Sequence, residues 1–186
     1  MEKAIIAACL RMQREGLIIG TSGNVSVRVG QEVLITPTGA EYEKLLPTDL
    51  VRLDLQGHIV QGHLAPSSEF WLHLKIYAAR PEIKAIIHTH SKFSTAFALA
   101  GQEVPAELEE FLHILGEQPV RVAEYGANGS LELANNAVEA LGQGKAVLLA
   151  RHGLVGVSSQ GLEEAFLICQ TVERAAEIHW LAQAWR

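Results

Sequence analysis

The stretch Ile86-Ile87-His88-Thr89-His90 constrains this chain more than any other. It places two histidines two residues apart at the end of an apolar run. Residues i and i+2 of a strand point to the same face, so His88 and His90 can aim two imidazoles at one point, with Thr89 turned away. A second apolar run, Ala146-Val147-Leu148-Leu149, leads through Ala150-Arg151 to His152-Gly153 and can supply a third nitrogen. Three histidines without cysteine suit a catalytic metal site. A structural zinc site is closed by four protein ligands, whereas a catalytic one keeps a position for water or substrate. The competing reading is that each histidine is a hydrogen-bonded core residue.

The 186 residues suit one domain, 1–186, with a sizeable core. Hydrophobic residues make up 48% and charged residues 19%, within the range of ordinary globular proteins. The net charge is −6 and there is no basic stripe, so no nucleic-acid partner is expected. No apolar run approaches the roughly 18 residues of a membrane span, and no membrane partner is expected. The start, Met1-Glu2-Lys3-Ala4-Ile5-Ile6, is polar and then amphipathic rather than signal-like, which makes the cytoplasm the expected compartment. Cys9 and Cys169 lie far apart in helical patterns and read as small buried hydrophobes, with a disulfide the lesser alternative.

Periodicity predicts helices over 2–15, 68–79, 92–100, 107–115, 131–141 and 161–184. Ser67 is the predicted N-cap of the second, with Pro66 before it. Strands are predicted at 25–29 and 33–36 around Gly30-Gln31, and at 51–55 and 58–60 around Gln56-Gly57. Further strands are predicted up to His88, at 120–122, at 146–150 and at 154–157. Hairpins mixed with single helices imply an α/β chain whose sheet is mainly antiparallel, with helices on its faces.

Three small-residue segments have the composition of phosphate cradles: Gly20-Thr21-Ser22-Gly23-Asn24, Thr36-Pro37-Thr38-Gly39 and Pro66-Ser67-Ser68-Glu69. Glycine lets backbone N–H groups approach an oxyanion, and a helix N-terminus adds unpaired N–H groups. Each is equally an ordinary turn. Glu69 is either a first-turn carboxylate offsetting the helix dipole or a general acid/base beside the metal. His73, four residues on, shares its helix face and reads as a structural partner.

Taken together, Thr21-Ser22-Gly23-Asn24-Val25-Ser26, Ile35-Thr36-Pro37-Thr38-Gly39, Pro66-Ser67-Ser68-Glu69, His88-Thr89-His90 and Arg151-His152-Gly153-Leu154 resemble the class II aldolase/adducin family. The resemblance is nearest to its fuculose 1-phosphate-cleaving branch. It implies a three-layer α/β/α domain in a homotetramer with active sites between subunits. It implies Zn²⁺ on His88, His90 and His152, with Glu69 as acid/base and as a ligand when substrate is absent. It implies a substrate phosphate held by Gly23, Asn24, Thr38, Gly39, Ser67 and Ser68. The implied reaction is cleavage of a small ketose 1-phosphate to dihydroxyacetone phosphate and an aldehyde.

Departures bear on the aldehyde end. The branch's tyrosine after the metal histidines has no counterpart in Pro105–His113, and its C-terminal tail is expected to be absent beyond Arg186. Glu109 and Glu110 lie where the family's methylthioribulose 1-phosphate dehydratases carry a catalytic glutamate, and those enzymes share the string at 88–92. They generally lack the glutamate matching Glu69, so its presence favours the aldolase reading, with Glu109 and Glu110 on a solvated helix face. Pentulose-phosphate 4-epimerases usually have aspartate at that position. A non-catalytic adducin-like scaffold is disfavoured by the intact histidines.

Overall fold

The structure is a computed structural model that describes residues 1–185. Helix α1 (Glu2–Arg14) leads into strands β1 (Asn24–Val29) and β2 (Glu32–Ile35), and then β3 (Val51–Asp54) and β4 (Ile59–Gln61). Helix α2 (Phe70–Ala79) precedes β5 (Ala85–Thr89), followed by α3 (Lys92–Ala100) and α4 (Glu109–Leu115). Strand β6 (Val122–Ala123), α5 (Leu131–Leu141), β7 (Ala146–Leu149), β8 (Gly153–Ser158) and α6 (Leu162–Ala182) complete the order. The eight strands form one sheet in the order β4-β3-β2-β1-β5-β8-β7-β6. Among the described residues every pairing is antiparallel except that of β6 with β7.

Strand alternation divides the interior into two cores. Ala85 and Ile87 of β5 and Ala146 and Leu148 of β7 face one side, where α1, α3, α4 and α6 contribute Met12, Phe97, Phe111 and Phe166. Their neighbours Ile86, Val147 and Leu149 face the other side, against Leu72 and Ile76 of α2 and Leu133 and Ala137 of α5. The result is the expected three-layer α/β/α arrangement. The buried strands read as continuous apolar runs because both faces are covered. The stripe Ala165, Phe166, Cys169 and Val172 of α6 packs on the first core as its spacing predicts. Cys9 and Cys169 are free and buried, and burial pushes both thiols up to about 12.

Three elements start two residues later than expected. Helix α2 begins at Phe70 with Glu69 at its N-cap, not at 68 with Ser67 as cap. Ser67 instead forms a turn: its hydroxyl accepts from the Glu69 N–H at 3.2 Å, and its carbonyl from the Phe70 N–H at 3.0 Å. Local serine-to-backbone bonding of this kind competes with helix, which delays the start. Val120 lies outside β6 and pairs in an isolated bridge with Val104. Helix α4 starts two residues later than predicted, at Glu109.

The segment after His90 is held firmly. The unpaired N–H groups that open α3 are satisfied from α6, where Glu173 accepts from the Phe93 and Ser94 N–H groups, each at 2.8 Å. Helix α6 also lies directly on β8 because Gly156 has no side chain. A Cβ there would meet Cys169 Sγ at 2.6 Å and the Ala165 carbonyl at 3.2 Å. Gly156→Ala is expected to destabilise the fold by about 1–3 kcal/mol through overpacking. Denaturant unfolding would measure it, and adding Cys169→Ala should recover part of the loss. A Gly156→Ala midpoint equal to wild type would contradict this packing.

Candidate metal centre and substrate cavity

Strand register builds the site. In the β1–β5 pair Asn24 stands opposite His88, and opposed residues share a face, so both side chains point toward the start of α2. His90 lies just past β5, and its N–H donates to the Leu17 carbonyl at 3.0 Å. Thr89 is turned to the opposite face, as the alternation predicts, and is buried. His152 comes from the turn Ala150–His152 that joins β7 to β8, in which Arg151 adopts the left-handed conformation at φ 60°. Glycine must follow, because a Cβ at Gly153 would fall 2.2 Å from the Thr89 carbonyl and against the rings of His90 and His88.

The three imidazoles converge. Their ring centroids are 4.7, 4.8 and 4.8 Å apart, in edge-on arrangements. Nε2 of His88 and Nε2 of His90 are 2.9 Å apart. Glu69 closes the group, with Oε2 3.2 Å from His88 Nε2 and Oε1 3.4 Å from His152 Nε2. One donor atom from each of these four residues lies within 4.8 Å of the others. Tetrahedral ligands at about 2.0–2.1 Å from an ion are roughly 3.3–3.4 Å from one another, so the spacing fits a single ion. His88 Nδ1 hydrogen-bonds the Leu154 carbonyl at 3.0 Å, which places the proton on Nδ1 and leaves the Nε2 lone pair facing the centre. The chemistry of the donor set, three nitrogens and a carboxylate, also fits a divalent cation.

Electrostatics point the same way. Burial alone would raise the Glu69 carboxyl, which is 4% exposed. The charge and hydrogen bond of His88, then His152, then the amide of Asn24 outweigh burial and hold it well below the usual carboxylate range. His88 is raised: burial opposes its charge, but the Glu69 carboxylate beside it more than compensates. His90 and His152 are pushed down to about 4 by burial and by the charge on His88. The cluster thus favours positive charge at its centre, opposite one carboxylate, the arrangement a metal cation would satisfy.

A cavity of about 420 Å³ opens beside this cluster. Gly23, Asn24, Thr38, Gly39, Ser67 and Ser68 all line it, together with Glu69 and His90. Two of its loops, distant in sequence, are stitched together here. The Ser67 N–H donates to the Thr36 carbonyl at 3.0 Å, and the Thr38 N–H to the Ala65 carbonyl at 3.1 Å. Gly23, at φ 74°, approaches so closely that a Cβ would lie 2.7 Å from the His88 carbonyl. Sequence reasoning missed Ile19 and Asn128 on the cavity wall. The Asn128-Gly129 pair was a usable signal, since Gly129 at φ 75° lets its loop press against the Ser68 carbonyl. His73 does not bond Glu69 directly, as their helical spacing suggested. It is fully buried and bonds Asn24, which in turn bonds Glu69. Glu109 and Glu110 lie away from the cavity on an exposed helix face, where Glu110 pairs with Arg174 at 2.6 Å.

Comparison with known proteins agrees with this geometry. The profile of the Class II Aldolase and Adducin N-terminal domain matches residues 3–180. The chain belongs to the class II aldolase and adducin family. It is 37% identical to the 5-methylthioribulose-1-phosphate/5-deoxyribulose-1-phosphate aldolase of Rhodospirillum rubrum, over 97% of this chain and 80% of that one. It is also 37% identical to the L-fuculose phosphate aldolase of Escherichia coli strain K12, over 96% of this chain and 82% of that one. A solved L-fuculose 1-phosphate aldolase superposes with a TM-score of 0.94 at 37% identity, covering 99% of this chain and 86% of that one. Class II aldolases are metal dependent, and the Glu69, His88, His90 and His152 cluster is able to hold a metal. Membership with that cluster intact makes this class II aldolase a lyase.

Metal binding should stabilise the fold, because it joins segments around residues 69, 88 and 152 that are separate in the unfolded chain. Zn²⁺ at 100 times its dissociation constant is expected to add about 2.7 kcal/mol, read as a rise in melting temperature. His152→Ala should lose most of that rise. An equal rise in His152→Ala would place the binding elsewhere.

Proposed function

We propose that this class II aldolase acts as one domain that uses Zn²⁺ to cleave a small ketose 1-phosphate to dihydroxyacetone phosphate and a short aldehyde. The convergence of His88, His90 and His152 with Glu69 on one wall of a cavity carries the reading. A set of three nitrogens and one exchangeable oxygen favours zinc. Bound at this point, the ion would supply Lewis-acid stabilisation to the enediolate charge left when the C3–C4 bond breaks.

The protein's own groups do the rest. Gly23, Asn24, Thr38, Gly39, Ser67 and Ser68 hold the phosphate, which orients the substrate at a distance from the reacting bond. Such a cradle needs no basic residue, because backbone N–H groups and hydroxyls supply the donors. In the condensation direction Glu69, ionised in the resting site, takes a proton from the hydroxymethyl carbon of dihydroxyacetone phosphate. In cleavage it returns that proton to the same carbon. Glu69 would also help to hold the metal when no sugar is bound.

The dehydratase reading is less well supported, because Glu110 is occupied by Arg174 on an exposed surface. No described helix is long and apolar enough to cross a membrane, and we place the enzyme in the cytoplasm. The exposed Leu99, Trp180 and Leu181 are apolar surface that a homotetramer would cover, with active sites between subunits.

Incubating the zinc-loaded enzyme with dihydroxyacetone phosphate and short aldehydes should yield ketose 1-phosphates. Glu69→Gln should retain metal yet slow this by about 10²- to 10⁴-fold, since the amide keeps the shape and cannot accept the proton. Dehydration of a methylthioribulose-type phosphate, with no carbon–carbon bond formation, would overturn the reading. Light scattering should give a mass near four times the 20.2 kDa chain. A stable, active monomer would refute the assembly.

A further inference from the structure

Behind Glu69, between β1 and α2, runs a row of buried polar groups. Asn24 Nδ2 lies 2.9 Å from Glu69 Oε2. Asn24 Oδ1 lies 2.5 Å from His73 Nε2. His73 Nδ1 lies 2.6 Å from Ser26 Oγ, and Ser26 Oγ 2.9 Å from the Tyr77 hydroxyl. His73, Ser26 and Tyr77 are 0% exposed, and Asn24 4%. None of the three inner groups lines the cavity.

Counting donors orients the whole row. An ionised carboxylate only accepts, so the Asn24 NH₂ faces Glu69 and its carbonyl faces His73. That carbonyl needs a donor, so His73 carries its proton on Nε2. Its Nδ1 therefore accepts, and the single Ser26 proton goes to it. The Ser26 oxygen is left to accept from Tyr77. Each contact of the row is then served by one donor, with the second Asn24 N–H left outside it, and the reversed orientation would leave the Glu69 carboxylate facing an oxygen. A fully satisfied buried network of this kind is rigid, whereas a broken one leaves desolvated groups unpaired.

We propose that His73 is a positioning residue: as the neutral Nε2–H tautomer it locks the Asn24 amide, and through it the orientation of the Glu69 carboxylate. The proposal rests on the reading of Glu69 as the proton carrier. Ser26 and Tyr77 set the tautomer by offering Nδ1 a donor. Burial, aided by the charge on His88, drives His73 down to about 3, in keeping with a neutral ring. The row also distinguishes the two oxygens of Glu69. Oε2 is capped by Asn24, while Oε1 has no hydrogen-bond partner, so Oε1 is the oxygen left to carry the transferred proton. Asn24 can remain bonded to Oε2 as the carboxylate changes charge, which fixes one oxygen while the other works.

Two substitutions in the full chain test this. His73→Leu fills similar space without a donor, and His73→Gln keeps a side-chain N–H of similar reach. His73→Leu is expected to lower kcat by about 10- to 100-fold, as loss of an outer-sphere partner does, with KM nearly unchanged. His73→Gln should recover most of that loss even if its melting temperature is no higher than that of His73→Leu. Imidazole ¹⁵N spectra of the wild type should show His73 protonated on Nε2 and bare on Nδ1. An imidazolium, an Nδ1–H tautomer, or equal kcat in both variants would overturn the proposal. If the wild type cleaves no ketose phosphate, the proposed function fails, but this inference is still decided by the spectra and by zinc titration. His73→Leu should then bind Zn²⁺ about tenfold or more weakly than His73→Gln, and equal affinities would refute it.

Discussion

A carboxylate withdrawn from water must be met by opposite charge and by hydrogen-bond donors, and the centre of this molecule is arranged around that requirement at Glu69. The side chain sits at the N-cap of α2, wedged against β1 and β5. His88, the imidazole on which the site favours positive charge, meets it from one side, and Asn24 brings an amide from the other. Remove either side and the burial penalty is uncompensated. Burial, reinforced by the charge favoured on His88, explains why His90 and His152 stay neutral: the single Glu69 carboxylate favours charge on both rings but does not outweigh the two opposing effects.

The layers of the fold serve this arrangement. The first core, beneath α1, α3, α4 and α6, supplies a rigid floor, on which the backbone after β5 is pinned by Glu173 and by the Leu17 carbonyl. The second core, beneath α2 and α5, fixes the helix that delivers Glu69 and His73. Polar groups of the buried row lie on the same face as the apolar residues of this second core, so α2 is packed by both. Loops carry the cavity wall, where Gly23 and Gly153 let the backbone approach the carbonyls of His88 and Thr89, and Gly129 that of Ser68.

Much of this could be read from residue order, and the rest could not for identifiable reasons. His88 and His90 were legible because strand geometry has a period of two, and no other pairing of those residues shares a face. His152 was legible because it stands between a buried apolar run and a glycine. The three small-residue loops were visible only as composition; that they line one cavity depends on long-range hydrogen bonds such as Ser67 to Thr36. Ser67 looked like an N-cap because the residue type fits, but its hydroxyl is spent on the Glu69 N–H in the turn that precedes the helix. His73 was visible as a partner of Glu69 at helical spacing, yet its actual partner, Asn24, lies 49 residues away across a strand contact. The short strand β6 was misplaced by the apolar residues at 120 and 122, because a triad of that length carries too little pattern to fix its ends.

The register of β1 against β5 has a consequence for how such a chain can change. Asn24 and His88 face each other across one rung of the ladder, and a one-residue slip would send one of them to the far side of the sheet. Insertions and deletions are therefore shut out of these two strands, whereas the loop around Asn128 keeps no ladder register and is held to the rim by the approach of Gly129 to Ser68. The catalytic half of the site is inherited as a block and the rest of its rim is open to experiment. A lineage built on this scaffold can acquire new sugars by editing its edges, leaving the chemistry at the centre untouched.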